Sequence, residues 1–387
     1  MRGRTLEDIL RITRKAAMSG LALAGIAAVL AGCAQAPAKS GGAKPAASKF
    51  LPCMVSDLGG FDDKSFNQLG KEGLDAAAKS LGVTAKAVES DSATDYAPNI
   101  NSLVSAGCNL IVTVGFNLSA ATVTAAKANP NIQFAIIDDA ADNSGGTDAK
   151  GNPIPDGKVD APNIKPILFD TAQAGFLAGY ASASYSKAGI VGTFGGIQIP
   201  TVTIFMDGFA DGVDYYNTQK SKSVKVVGWN VAKQTGSFTG GFDANDKAKS
   251  TAQNLIDQGA DVIFPVGGPI FQSAGAAITD SGKDIALLGA DADVYNTFPT
   301  YDKLYLTSVE KGIEPAVEAV VKATAKQAKG KFDDTPYIGN LKNNGVGIAP
   351  FHDFASKVDP GLQGELDQIK ADIISGKITV KSYLSGN

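Results

Sequence analysis

Arginine is missing from nearly the whole chain: Arg2, Arg4, Arg11 and Arg14 are its only arginines, and none follows. The guanidinium fork is the usual bidentate partner of carboxylate and phosphate and the usual reader of guanine edges. Its absence therefore argues against amino-acid, phosphate and nucleic-acid ligands, leaving only lysine and helix N-termini to hold an anion. One histidine, His352, and three cysteines, Cys33, Cys53 and Cys108, provide neither a metal-ligand cluster nor a CxxC pair. His352 reads as a structural histidine. No phosphate loop is present: residues 151–158 come nearest, but the spacing is one residue too long and Val159 stands where Ser or Thr is required. Nothing else in the sequence calls for a cofactor. Long apolar runs are missing too, since the most apolar stretch, residues 16–30, is too short to span a bilayer comfortably.

That stretch follows a basic head of Arg2, Arg4, Arg11, Arg14 and Lys15, the pattern of an export signal. It ends in Leu30-Ala31-Gly32-Cys33, which resembles the lipobox of bacterial lipoproteins, where cleavage leaves Cys33 as a lipid-carrying first residue. Residues 1–32 are read as a lipoprotein signal and residues 33–48, rich in Ala, Pro, Lys, Ser and Gly, as a flexible tether. The expected location is the outer face of a bacterial cell membrane, with the lipid on Cys33 as the anchor. The signal carries five of the 35 Lys and Arg residues and two of the 39 Asp and Glu residues. The remainder then holds 30 basic and 37 acidic residues, a formal charge of −7. An acidic, arginine-free protein suits an uncharged ligand.

The residues after the tether are comfortable for two lobes. Short apolar runs at 51–56, 84–89, 110–114 and 133–137 alternate with helical patterns at 65–81, 96–106 and 120–128. Residues 140–166, with Gly, Pro, Asp and Asn, read as a surface loop. Alternation resumes with helices at 171–184, 204–217, 246–258 and 270–281 between strands at 188–193, 224–230, 262–265 and 286–290. Strand–helix alternation argues for parallel sheets with helices on both faces. Ligands in such sheets bind beyond the carboxyl ends of the strands. Asp57, Asp138, Asp139, Gly267, Gly268 and Asp291 all fall there. Cys53 and Cys108 lie on or beside strands expected to be neighbours, so a disulfide between them is open in an oxidising compartment, as are two buried thiols.

The run Ser56-Asp57-Leu58-Gly59-Gly60-Phe61-Asp62-Asp63-Lys64-Ser65-Phe66-Asn67-Gln68 resembles the opening signature of the basic membrane protein family. Further matches are Gly175-Phe176-Leu177-Ala178-Gly179, Asp207-Gly208-Phe209-Ala210-Asp211-Gly212, Val266-Gly267-Gly268, Gly289-Ala290-Asp291-Ala292-Asp293 and Ser308-Val309-Glu310-Lys311. The best-known members are purine nucleoside receptors of bacterial ABC importers. The resemblance implies an α/β type I periplasmic-binding-protein fold: two Rossmann-like lobes, a ligand cleft between them and three crossover strands. The expected lobes are 49–168 with about 292–330, and 169–291 with about 331–387. It also implies that Phe66 and Phe209 sandwich a purine, that Asp57 and Asn67 meet the base edge, and that Asp138 or Asp139, Asp291, Lys311 and the Gly267 backbone hold the ribose. The implied partners are a permease and an ATPase, with the protein a monomer.

Bland roles compete for each residue. Phe66 and Phe209 suit a core, Asp57 and Asp291 suit helix caps, Asp62 and Asp63 suit a helix start, and Lys311 suits a solvated helix face. Three other functions compete as well. A sugar receptor also uses aromatics and carboxylates. A sensory or adhesive lipoprotein needs no importer, and a nucleoside hydrolase would need a cation-holding cluster such as Asp57, Asp62 and Asp63. The reading adopted is a binding protein without catalytic residues.

Overall fold

The computed structural model describes residues 50–145, 156–327 and 331–385. The export signal, Cys33 and the tether at 33–48 lie outside the described residues. No helix among the described residues is long and apolar enough to cross a membrane.

The first half of the chain alternates β1 (Pro52–Val55), α1 (Phe66–Leu81), β2 (Lys86–Val88), α2 (Tyr96–Ser105), β3 (Leu110–Val114), α3 (Ser119–Ala128), β4 (Gln133–Ile137) and β5 (Ile164–Phe169). After it come α4 (Thr171–Tyr185), β6 (Ile190–Gly195), α5 (Pro200–Lys220), β7 (Lys225–Val227) and a small hairpin, β8 (Trp229–Asn230) with β9 (Thr235–Gly236). Then follow α6 (Asp246–Asp257), β10 (Val262–Val266), α7 (Ile270–Ser281), β11 (Ala286–Asp291), α8 (Val294–Thr297) and β12 (Tyr305–Lys311). The chain ends with α9 (Ile313–Lys326), β13 (Tyr337–Gly339), β14 (Val346–Ile348) and α10 (Leu362–Ile374).

Two six-stranded sheets result, ordered β13-β5-β4-β3-β1-β2 and β14-β12-β11-β10-β6-β7. The first is parallel throughout, and the second departs from that only where β14 runs antiparallel to β12. The central strands LIVTV and VIFPV are buried along their full length, as strands covered by helices on both faces must be. Each sheet is the heart of a lobe. The chain passes between lobes three times: from β5 into α4, from β12 into α9, and from β13 to β14.

These passages correct the expected boundaries. Residues 292–311 stay in the second lobe, because β12 pairs in parallel with β11 through Asp291↔Glu310. The chain crosses only after Lys311, and α9 then packs on α1 of the first lobe. The return crossing comes after β13, which pairs with β5, rather than near residue 330. Cys53 of β1 and Cys108, just before β3, are joined in a disulfide with 6.0 Å between Cα atoms.

Helices α4 and α5 meet backbone to backbone. A Cβ on Gly179 would stand 2.0 Å from the Phe209 carbonyl oxygen, and one on Gly212 would stand 2.0 Å from that of Phe176. Only glycine fits such an approach. The two glycine-spaced motifs are thus the contact between these helices, and Phe209 is fixed by it: the ring is fully buried, 5.4 Å from that of Phe264. Gly179→Ala is expected to destabilise the protein by about 3 kcal/mol through overpacking, read from denaturant unfolding. A variant as stable as the parent would contradict this contact.

Candidate functional site

Between the lobes lies a cavity that is partly open to solvent. It is walled by residues from the carboxyl ends of both sheets, where parallel-sheet topology places loops leading into helices. Two hydrogen bonds tie the lobes together beside it. Ser65 Oγ donates to the Ala290 carbonyl at 3.0 Å, and Thr297 Oγ1 donates to that of Lys64 at 2.7 Å.

Charge in the cavity is lopsided. Asp57, Asp63, Asp138 and Asp291 line it, with Lys311 as the only basic lining residue among the described residues. Lys311, the last residue of β12, is buried between Asp138 of the first lobe, to which its Nζ donates, and Asp291 of the second, 3.3 Å away. Burial pulls its ammonium down, but the two carboxylates outweigh that and hold it above the usual lysine range. Burial likewise pushes Asp138 up to about 6 against the pull of Lys311. Both carboxylates sit at strand ends on left-handed backbone, φ 60° for Asp138 and 70° for Asp291, a conformation that costs energy outside glycine and persists where surroundings enforce it. Asp291 Oδ1 is the oxygen that faces the Lys311 ammonium, and Asp291 Oδ2 lies 3.4 Å from Ser65 Oγ.

Asp57 follows β1 and lies 6 % exposed. Its Oδ1 accepts from Asn67 Nδ2 at 2.7 Å, and its backbone N–H donates to Asn67 Oδ1 at 3.3 Å. Asn67 also donates to Asp63 Oδ2, so both amide hydrogens go to carboxylates and only Oδ1 keeps acceptor capacity. Asp63 lies just before α1 and caps it: its two oxygens accept from the backbone N–H groups of Ser65, Asn67 and Gln68. Asp62 is exposed and paired with Lys64. With Asp63 consumed by the helix and Asp62 turned outward, the three acids do not converge as a cation site.

Aromatic rings complete the walls. Phe66 comes from the start of α1, and Phe205, from the second lobe, lies opposite the same ammonium: Lys311 Nζ is 5.2 Å and 4.9 Å from the two ring centroids. Phe242, in the loop after β9, lines the cavity over Gly267 and Gly268.

The structure therefore brings Asp57, Phe66, Asn67, Asp138, Gly267, Asp291 and Lys311 to one cavity and excludes two expected members. Phe209 is core, held under α4, and Phe205, one helical turn earlier, reaches the cavity instead. Asp139 turns away: its Oδ1 accepts from Ser119 Oγ and from the Ala141 N–H. The role expected of Gly267 also changes, since the space of its missing Cβ holds the Phe242 ring, 2.6 Å from where that atom would stand. Phe205, inside the helix read at 204–217, and Phe242, in a stretch read as neither strand nor helix, carry no local signal of direction in the sequence.

Burial, with like charges at Asp63, Asp138 and Asp291 adding to it and Asn67 opposing, pushes Asp57 up to about 8. A buried acid raised in this way keeps its proton in the folded state after the unfolded chain has lost it. Stability of the unliganded protein then falls as pH rises from the ordinary carboxylate range towards 8. Asp138 and Asp139, both near 6, contribute to the lower part of that fall, whereas Asp57 contributes throughout and is alone of the three between 6 and 8. Asp57→Asn is expected to flatten the dependence of melting temperature on pH between 6 and 8. An unchanged slope would show that Asp57 is ionised throughout.

Residues 50–382 match the family described as PnrA-like ABC transporter substrate-binding proteins. The chain is 30 % identical over 383 residues to the ABC transporter nucleoside-binding protein BmpA of Lactococcus lactis, covering 95 % of this chain and 99 % of that one. It is 27 % identical over 326 residues to basic membrane protein A of Borreliella burgdorferi, covering 84 % and 86 %. Among solved structures, an ABC transporter solute-binding protein from Aeropyrum pernix superposes with a TM-score of 0.70 at 22 % identity, covering 87 % of this chain and 94 % of the other, a likeness of fold. With its sequence matched over nearly its whole length and its two lobes closed on one cavity, the chain belongs to the basic membrane protein family of PnrA-like ABC transporter substrate-binding proteins.

Proposed function

We propose that the protein is the lipid-anchored receptor of an ABC importer and that its cleft holds a purine nucleoside. The observation that carries this reading is the cavity's division of chemistry: aromatic walls from both lobes, ending at carboxylates bridged by one buried lysine. A flat heterocycle gains from the walls, since stacking on an aromatic face contributes about 1–3 kcal/mol per base without needing charge. Phe66 supplies one face, and Phe205 with Phe242 the other. Asp57, positioned by Asn67, meets the base edge; Asp138 and Asp291 accept from ribose hydroxyls, and Lys311 donates. The name of the lactococcal relative, a nucleoside-binding protein, supports the same ligand class.

A cavity with four acids and one lysine opposes a 5′-phosphate, which selects nucleoside over nucleotide. Asp63 is engaged in capping α1, and Asp138 and Asp291 in holding Lys311, an arrangement that suits holding a ligand. Delivery requires a membrane permease and its ATPase, and Cys33 keeps the monomeric receptor beside them.

Calorimetric titration is expected to show guanosine, adenosine or inosine binding well, ribose alone hardly at all, and the matching 5′-monophosphate at least about tenfold weaker. Phe66→Ala is expected to cost about 1–3 kcal/mol of affinity. Ribose binding as tightly as any nucleoside would make the protein a sugar receptor, and release of free base would make it a hydrolase. In cells, Cys33→Ala is expected to free the protein from the membrane fraction; retention there would refute the lipid anchor.

A further inference from the structure

The ring of Phe242 rests on glycine. A Cβ on Gly196 would lie 2.3 Å and 2.4 Å from its Cδ1 and Cε1, and 2.8 Å from the Gly241 carbonyl oxygen. A Cβ on Gly267 would lie 2.6 Å and 2.7 Å from Cε1 and Cδ1, and one on Gly268 would lie 3.3 Å from the Phe242 Cβ. These three glycines stand just beyond the ends of β6 and β10, neighbouring strands paired from Val191↔Val262 to Gly195↔Val266. Gly196 and the pair Gly267-Gly268 thus make a floor without side chains under the ring, while the missing Cβ of Gly195 faces Val202 and Phe238. The loop carrying Phe242 is fastened to the same floor. The Gly195 N–H donates to the Ser237 carbonyl at 3.0 Å, the Thr239 N–H to that of Gly195 at 3.0 Å, and the Gly240 N–H to that of Gly196 at 2.8 Å.

We infer that Gly196 is a positioning residue for the ligand slot: with Gly267 and Gly268 it sets how deeply Phe242 is seated, and so how wide the gap is that the ring leaves for a stacked heterocycle. This rests on the reading of the cleft as a stacking site. Gly196 is itself buried and outside the cavity lining, so it acts only through Phe242. The physical reason is the steepness of contact forces. A gap of half an ångström to one ångström already forfeits a quarter to a half of a dispersion contact, and overlap costs more. A single methyl group on the floor would push the ring, and the Gly241 carbonyl with it, towards the slot by about an ångström or more, given that carbon contacts sit at roughly 3.5–4.0 Å. The sequence feature is the pair of glycine doublets, each placed where a strand hands over to its loop.

Gly196 is the cleaner of the positions to test, because its backbone is not left-handed, whereas Gly267 and Gly268 have φ of 116° and 49°. The experiment is a double-mutant cycle in nucleoside affinity, using Gly196→Ala, Phe242→Ala and both together, with melting curves of each unliganded protein. Gly196→Ala is expected to weaken binding by about tenfold or more in the parent and by less than about threefold in the Phe242→Ala background, a coupling of the size seen for touching residues. Gly267→Ala, whose added atom would meet the ring carbons Cε1 and Cδ1 that Phe242→Ala removes, is expected to give a loss with the same disappearance in that background, since backbone strain is common to both arms of the cycle. It decides the matter should Gly196→Ala fail to fold. Equal losses with and without Phe242, or no loss in a folded Gly196→Ala, would overturn the inference. Parent-like affinity in Phe242→Ala would instead overturn the stacking role of that ring.

Discussion

A single buried ammonium organises the cleft. Lys311 stands at the last residue of β12, where the chain leaves the second lobe, and it pairs with Asp138 of the first lobe and Asp291 of the second. Taken without it, Asp138 and Asp291 would lie buried with no balancing charge, and burying unpaired charge is among the costliest things a fold can do. Breaking such a pair by removing one partner is far more destabilising than the pair is stabilising. The same residue stands where the chain crosses between lobes, touches the Phe66 and Phe205 rings and links two strand ends held on left-handed backbone, so one side chain joins both lobes at the site.

Around that ion pair the second lobe is built by exclusion of side chains. Where α4 and α5 touch through Gly175, Gly179, Gly208 and Gly212, the helices come close enough to fix the pitch of α5 against the cleft. That decides which of two phenylalanines, four residues apart, reaches the ligand space. Phe205 does, and Phe209 fills the core beside Phe264. Beyond the ends of β6 and β10 glycine works the same way, leaving room for a ring that approaches from a loop.

Much of this was legible in the sequence. The alternation of apolar runs and helical spacing located β3, β4 and α7 at their observed bounds, and most other elements up to β11 within a few residues. Strand ends did lead to Asp57, Asp138 and Asp291, which reach the cavity, whereas Lys311 came from the family resemblance alone because the strand it ends, β12, was not read. What local pattern does not carry is direction and long-range pairing. Asp138 and Asp139 are adjacent and chemically identical, and only a left-handed backbone at the first turns it into the cavity. The spacing of apolar residues in α9 describes a helix, but its lobe is set by packing on α1, some 240 residues earlier in the chain. The three-residue strands β13 and β14 have no readable period, so the boundary they set was misplaced. The DGFADG motif was correctly singled out and wrongly interpreted, because a helix contact and a ligand contact both call for glycine beside an aromatic.

The most direct test of the account is a crystal structure of the protein grown with a purine nucleoside. The account predicts the base between Phe66 and the rings of Phe205 and Phe242, with the ribose hydroxyls within hydrogen-bond distance of Asp138, Asp291 or Lys311. A nucleoside bound outside the interlobe cavity, or a complex in which Lys311 has left both carboxylates, would contradict it.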